Sequence, residues 1–325
     1  MAVLNTGAIY LSAVIPPEMG GSRLDQAVSR IFTDYSRTML KDWILKGRLL
    51  VNAQRRRPRD PVAGGERVEL WAEAAPETAC KPQEIPLHIL YEDEDLILLN
   101  KPSGLVVHPG AGNREGTLLN ALLYHDSDLA NLPRAGIVHS LDKDTSGLLV
   151  IARTLQAHTQ LVRQLQARTL KREYQAIAEG AMVAGGTVDL PVGRHRTERT
   201  RMAVVEKGKE AVTHYRIVQR FRAHTHIQVR LETGRTHQIR VHMAHLRHPL
   251  VGDPVYGRRL AFPVRATPLL VETLRKFKRQ ALHASRLRLL HPASGEPMEW
   301  SAPLPEDMVN LLACLAEDAK VHAHT

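Results

Sequence analysis

The sequence predicts an α+β protein in two units. A small helix–helix–strand module comes first. A larger domain follows, a mixed and mainly antiparallel β-sheet flanked by helices. Three observations predict this. Helical spacing and a dense basic cluster share one short N-terminal stretch. Residues 74–87 (AAPETACKPQEIPL) then mix Pro, Glu and Ala without periodicity and read as a linker. Beyond the linker, helical segments alternate irregularly with period-two strands, which favours α+β over a doubly wound fold.

Composition sets the outer bounds. At roughly 100–200 residues per domain, 325 residues make two or three domains. Apolar residues are 43% and charged residues 24%, an ordinary globular mix that excludes global disorder. No apolar run approaches the roughly 18 residues of a membrane span. The N-terminus lacks the basic region of a secretory signal. Two cysteines, Cys80 and Cys314, form neither a disulfide framework nor a zinc pattern, which points to a reducing cytoplasm. Lys+Arg 44 against Asp+Glu 34 leaves a net charge of +10, which favours a polyanionic partner such as nucleic acid.

The charge is clustered. Arg37, Lys41, Lys46, Arg48, Arg55, Arg56, Arg57 and Arg59 face a single acid, Asp42, within that stretch. Ser22 is positioned to open a helix, with Asp25 as a capping-box partner and Leu24, Ala27, Val28 and Ile31 at helical spacing. Ser36 is a second N-cap candidate, ahead of Met39, Leu40, Trp43 and Ile44, and Gly47 ends that helix. Strands are expected at 49–51 and 68–71, with Gly64–Gly65 as a turn.

The larger domain opens near His88. A buried strand is expected at 96–99, then a turn at Lys101–Pro102–Ser103–Gly104. A helix carries Leu118, Leu119, Leu122 and Leu123, and a strand covers 148–152. Thr154 caps a helix presenting Leu155, His158, Leu161, Val162 and Leu165. Alternation then marks strands at Tyr174/Ala176/Ala178, Val212/His214/Arg216/Val218 and Ile227/Val229/Leu231. Between strand patterns, 193–201 (GRHRTERTR) reads as a basic loop.

Two polar clusters carry the candidate chemistry. The first is His139-Ser140-Leu141-Asp142-Lys143-Asp144-Thr145-Ser146-Gly147, directly ahead of an apolar strand. A serine triad from such close neighbours is rejected, because triad members converge in space from separate segments. The second runs from Gly234 through Arg235, Thr236, His237, Gln238, Ile239, Arg240, Val241 and His242 to Gly252–Asp253. Read as a strand over 236–243, it sends His237 and His242 to opposite faces, so its histidines read as hydrogen-bonding or RNA-facing groups rather than metal ligands. No phosphate-binding glycine motif is present, so no nucleotide cofactor is expected.

Both units resemble known families. SRLDQAVSRI (22–31), YSRTMLKDWILKGRLLVN (35–52) and GGERVEL (64–70) resemble the S4 domain, a small RNA-binding module. That resemblance implies that Arg37, Lys41 and Arg48 meet RNA phosphates, giving affinity with little sequence choice. NKPSGLVVHPG (100–110), GTLLNALLYH (116–125), GIVHSLDKDTSGLLVIAR (136–153), LKREYQAIAEG (170–180), LETGRTHQIRVHMAHLRHPLVGDPVYG (231–257) and QALHASRLRLLHP (280–292) resemble, in order, the RluA-type pseudouridine synthases. The domain boundaries that follow are an N-terminal extension at 1–19, the S4-like domain at 20–73, the linker at 74–87 and a catalytic domain at 88–325.

The family resemblance implies conversion of uridines in large-subunit ribosomal RNA to pseudouridine, without a cofactor or metal. The setting is expected to be the cytoplasm, and a monomer is expected because two linked units with complementary RNA contacts need no dimer. It implies Asp142 as the essential aspartate acting at the ribose, Arg240 as its partner and Tyr174 against the target base. His139, Ser140 and Thr145 are expected to contact substrate, and Ile239 or Val241 to pack on the uracil. One departure stands out. Where the family carries His-Arg-Leu-Asp, this chain has His139-Ser140-Leu141-Asp142. The family arginine inserts toward RNA, and serine has neither its reach nor its charge. A second reading therefore stays open, a non-catalytic rRNA-binding assembly factor on the same fold.

Overall fold

A computed structural model describes residues 8–32, 35, 37–73, 80–110, 112–198, 201–257 and 262–323. The chain divides into two units, Met1–Cys80 and Lys81–Thr325.

The first unit contains β1 (Ala8–Val14), α1 (Leu24–Ile31), α2 (Arg37–Leu45), β2 (Leu49–Val51), β3 (Gln54–Arg55) and β4 (Arg67–Glu73), with the sheet ordered β1-β4-β2-β3. Leu24, Ala27 and Val28 of α1 and Leu40, Trp43 and Ile44 of α2 pack on Leu49, Val51, Val68 and Leu70 of the sheet. Here β1 comes from the segment expected to be an extension. It pairs along its full length with β4 and completes the sheet. The turn at Gly64–Gly65 is held by Glu66, whose carboxylate accepts from the Ala63 and Gly64 N–H groups at 2.6 and 2.7 Å. Gly47 adopts φ +69° where α2 ends, a left-handed conformation that suits glycine.

The expected cap at Ser22 is corrected. Arg23 occupies the N-cap without a side-chain cap, and the Ser22 hydroxyl donates to the Met19 carbonyl. Asp25 makes no capping box, because Arg23 and Arg37 take its carboxylate (2.9 and 2.8 Å). The proposed cap at Ser36 lies outside the described residues.

The second unit contains β5 (Ile89–Glu92), β6 (Leu96–Lys101), α3 (Leu118–His125), β7 (Ser146–Ala152), α4 (Leu155–Gln166), β8 (Lys171–Glu179), β9 (Gly186–Asp189), β10 (Val192–Arg194), β11 (Met202–Val204), β12 (Val212–Arg220), β13 (His224–Leu231), α5 (Gln238–His245), α6 (Pro268–Lys276), β14 (Leu282–Leu290), β15 (Pro297–Ser301) and α7 (Glu306–Ala323). Its main sheet runs β5-β6-β7-β14-β8-β13-β12-β9, with β15 on β14. All pairings are antiparallel except β7 with β14. Every residue of β7 is buried, which explains its unbroken apolar run. Residues 74–79 of the linker lie outside the described residues. Further along it, Lys81 accepts from the Asn120 side chain and Gln83 donates to the Asn120 carbonyl, so this part is fastened to α3.

Thr154 caps α4 by accepting from the Ala157 N–H (3.0 Å). The helix buries Ala157 and Leu161 against Leu148 and Val150 of β7, while Leu155 is exposed. The basic segment 193–201 starts in β10 with Gly193 and Arg194, and β11 begins just beyond it at Met202. One further expectation is corrected: the 236–243 segment is not a strand but runs into α5. His237 takes a left-handed φ of +56° as its N-cap, and the buried Gln238 side chain ties the first turn to Thr233, Thr213 and Val212. Alternation and helical spacing are ambiguous over such a short, histidine-rich run.

Candidate active site

The Asp142 loop is built from the strand it precedes. Gly147, at φ +115°, sits where β7 meets β14. A Cβ there would lie 2.3 Å from the Ala284 carbonyl oxygen, so only glycine permits this approach. Upstream, His139 Nε2 accepts from the Val150 N–H at 3.2 Å. Burial pushes the His139 pKa down to about 3, and Arg172 adds to the effect, so the ring is neutral. Downstream, Thr145 donates its N–H to the Asp142 carbonyl, and its hydroxyl accepts from Gln280. The Lys143 carbonyl accepts from the Gly104 N–H and from Lys101 Nζ (2.9 Å). The same ammonium donates to the Pro102 and Leu105 carbonyls, and so uses all three of its protons. Burial lowers the Lys101 pKa to about 8, with Asp144 and Asp142 opposing the shift, so it stays mainly charged at neutral pH.

Asp142 emerges from this braced loop with its side chain 23% exposed. Its Oδ2 accepts from Arg240 Nη1 at 2.9 Å. Arg240 lies on α5, buried, and its other nitrogens are claimed by Asp253. Nε donates to Asp253 Oδ2 at 2.7 Å and Nη2 to Oδ1 at 2.9 Å. Asp253 Oδ1 also accepts from the Val255 and Tyr256 N–H groups. Burial alone would depress the guanidinium pKa, but the Asp253 and Asp142 carboxylates outweigh it and hold it above its ordinary value. Burial alone would raise Asp253; Arg240 and the two backbone donors reverse that and hold it below the usual range. A planar fork is thus fixed by one carboxylate and offers its remaining donor to the other.

Tyr174, on β8 between Val229 of β13 and Ala284 of β14, is buried within electrostatic reach of Asp142. Burial raises its pKa, Arg172 opposes that, and the Asp142 charge adds to it, so the phenol is neutral. The site also contains His237, with Nε2 3.8 Å from Asp142 Oδ1 and Nδ1 2.8 Å from the Tyr256 hydroxyl. The Tyr256 ring lies beneath Arg240, with 5.0 Å from the guanidinium carbon to the ring centroid.

The structure therefore pairs Asp142 with Arg240 and places the buried Tyr174 within electrostatic reach of Asp142. The other residues expected to contact substrate are placed differently. Thr145 and His139 also brace the loop. Val241 packs with Val192, Ala211 and Tyr256, so of the two apolar neighbours of Arg240 it belongs to the core. Ile239 is buried too, and Ser140 is exposed beside Asp142. In the first unit, Lys41 and Arg48 are exposed, while Arg37 is half-exposed and tied to Asp25. His242 is engaged at both ring nitrogens, by Thr213 and the Leu190 carbonyl. Among the described residues no three of His, Cys, Asp and Glu gather as a metal would require. Sequence reasoning gave no role to Asp253, Tyr256 or Lys101, and read His237 only as a hydrogen-bonding or RNA-facing group.

Comparison with known proteins gives the family. The RNA pseudouridylate synthase pattern matches residues 95–245, and the S4 domain pattern matches residues 22–68. The chain belongs to the RNA pseudouridylate synthase family. Ribosomal large subunit pseudouridine synthase D of Escherichia coli (strain K12) is 57% identical over 315 residues, 97% of each chain. The protein of the same name from Pseudomonas aeruginosa is 57% identical over 310 residues, 95% of this chain and 97% of its own. Among solved structures, human RNA pseudouridylate synthase domain containing 1 superposes with a TM-score of 0.55 at 26% identity, covering 71% of this chain and 89% of that one.

Proposed function

We propose that this chain isomerises specific uridines of large-subunit ribosomal RNA to pseudouridine. The observation that carries the reading is the half-held aspartate: Asp142 has Oδ2 fixed by Arg240 and its side chain open to solvent, on a chain with a near-full-length match to a large-subunit pseudouridine synthase. The reaction breaks N1–C1′ and forms C5–C1′. The proton on C5 is lost and N1 gains one, so nothing is consumed. Asp142 acts at the ribose. Arg240 keeps its carboxylate aimed, and the neutral Tyr174 lies against the base, where its hydroxyl can assist the proton leaving C5.

The target uridine must leave its stack, which costs a few kcal/mol and least in a loop. Lys41 and Arg48 of the S4 domain supply RNA affinity through phosphates, with Arg37 assisting from its pair with Asp25. The working context is the cytoplasm, with free rRNA or an assembling large subunit as partner, a monomeric enzyme and no nucleotide cofactor. Among the described residues no helix is long and apolar enough to cross a membrane. Ser140 lowers RNA grip beside the site without removing any of the three reacting residues.

The test is pseudouridine mapping by carbodiimide treatment and primer extension on unmodified large-subunit RNA or subunits. Stops with the native protein and none with Asp142→Asn are expected. RNA binding by both without stops from either would favour the assembly-factor reading.

A further inference from the structure

The contact between Asp142 and Arg240 leaves Oδ1 of Asp142 unaccounted for, and one side chain faces it. His237 Nε2 lies 3.8 Å from that oxygen. The other ring nitrogen, Nδ1, is 2.8 Å from the Tyr256 hydroxyl. That hydroxyl also accepts from the Met202 N–H at 2.9 Å, at the foot of β11. A phenol has one proton and can both donate and accept. When that proton goes to His237 Nδ1, the neutral imidazole carries its own on Nε2, facing Asp142.

The groups around the ring are consistent with a neutral imidazole. Burial depresses its pKa, and Arg240 acts in the same direction, while Asp142 and Asp253 oppose them. Arg201, whose guanidinium carbon is 5.5 Å from the centroid of the Tyr256 ring, adds a positive charge on the β11 side. The backbone supports a purpose for this residue. His237 holds φ +56° at the N-cap of α5 without making a side-chain cap bond. A β-carbon disfavours that conformation, and the side chain is directed to the site rather than to its own helix.

We propose that His237 is a positioning residue for Asp142: a neutral imidazole, fixed in one tautomer by Tyr256, that presents Nε2–H to Oδ1 and tightens onto it when the ribose enters. Arg240 and His237 then grip the carboxylate from two sides and set the angle at which it meets the sugar. The separation of 3.8 Å is too long for a hydrogen bond, but catalytic contacts are often long before substrate arrives. The proposal rests on Asp142 as the reacting carboxylate.

Single-turnover tritium release from [5-³H]uridine-labelled rRNA tests it, with RNA affinity measured in parallel. His237→Gln keeps an amide N–H at the reach of Nε2. His237→Asn keeps the same chemistry at shorter reach, yet tolerates a left-handed backbone better. If the donor matters, Gln exceeds Asn by about tenfold in rate at saturating RNA, with unchanged RNA affinity in both. If only the backbone matters, Asn equals or exceeds Gln, and the proposal is overturned. A loss confined to RNA affinity overturns it too. Imidazole ¹⁵N shifts give a readout independent of turnover. The Nε2–H tautomer of His237 is expected in the native protein, with a mixture in Tyr256→Phe, and a native Nδ1–H tautomer refutes the assignment. Asp142→Asn is the control: activity surviving there would overturn the role of Asp142 itself, whatever the His237 variants do.

Discussion

Arg240 holds two carboxylates in opposite circumstances. Asp253 is fully buried, and both of its oxygens are saturated by Arg240 and two backbone N–H groups. Asp142 is 23% exposed, with one oxygen fixed and the other, among the described residues, faced by a distant imidazole. The same guanidinium thus serves as a structural anchor on one side and a guide on the other. The difference lies in coordination, not in residue type. A carboxylate whose acceptors are all taken cannot react, and one with none taken cannot be aimed. Asp25 in the first unit gives the same lesson: two arginines grip it in the core, and it reads as structural.

Four changes would sharpen or break that contrast. The largest effect on turnover is expected from Asp142→Asn, a loss of about 10²–10⁴-fold or more, with melting temperature nearly unchanged. A large drop in melting temperature would make Asp142 a structural group like Asp253. Next is Asp253→Ala, expected to cost about 3–5 kcal/mol because it leaves a buried guanidinium unpaired on that side. Denaturant unfolding measures it, and turnover should fall with stability. The pH dependence follows from the depressed pKa of Asp253. Its stabilisation is present above the ordinary carboxylate range, near pH 4, and is lost as pH falls through the lower folded value. Acid unfolding of Asp253→Asn should lack that component.

Lys101→Met ranks third. It strands three carbonyls, including that of Lys143, at a cost of about 1–3 kcal/mol, with a matching loss of turnover as the Asp142 loop loosens. Equal turnover in the variant would show that the loop is held without it. The smallest change is Ser140→Arg, an exposed substitution beside Asp142. It should raise RNA affinity a few-fold, about 1 kcal/mol, without altering the fold. Filter binding at fixed salt checks it, and no gain would mean that Ser140 is not a deficit.

Much of this was legible in the sequence. The long apolar runs of β6 and β7, the Thr154 cap of α4 and the alternation in β8, β12 and β13 follow from local patterns that tertiary contacts reinforce. The Asp142–Arg240 pair came from ordered motifs, not from periodicity. What was not legible depended on distance. Nothing local tells that His237 turns left-handed to start α5, or that Asp25 is taken by Arg37 rather than by its own helix end. β1 was unread because a lone edge strand needs β4 to exist. Thr145 and His139 were singled out beside Asp142 in the sequence. Their partners, Gln280 and the Val150 backbone, show that they also brace the loop, which local sequence did not reveal.

One feature reaches into how the molecule is made. The lone parallel contact of the main sheet joins Ser146 and Gly147 to His283 and Ala284, and Asp142 meets its arginine 98 residues later in the chain. A polypeptide emerging from its N-terminus therefore displays the Asp142 loop long before anything can orient it. The arginine arrives with α5, and the flank of β7 closes only with β14. The pairing that aims Asp142 is therefore a late event in synthesis. A nascent product that stops short of α5 carries the whole S4 module and the Asp142 loop, but not the arginine that fixes the carboxylate.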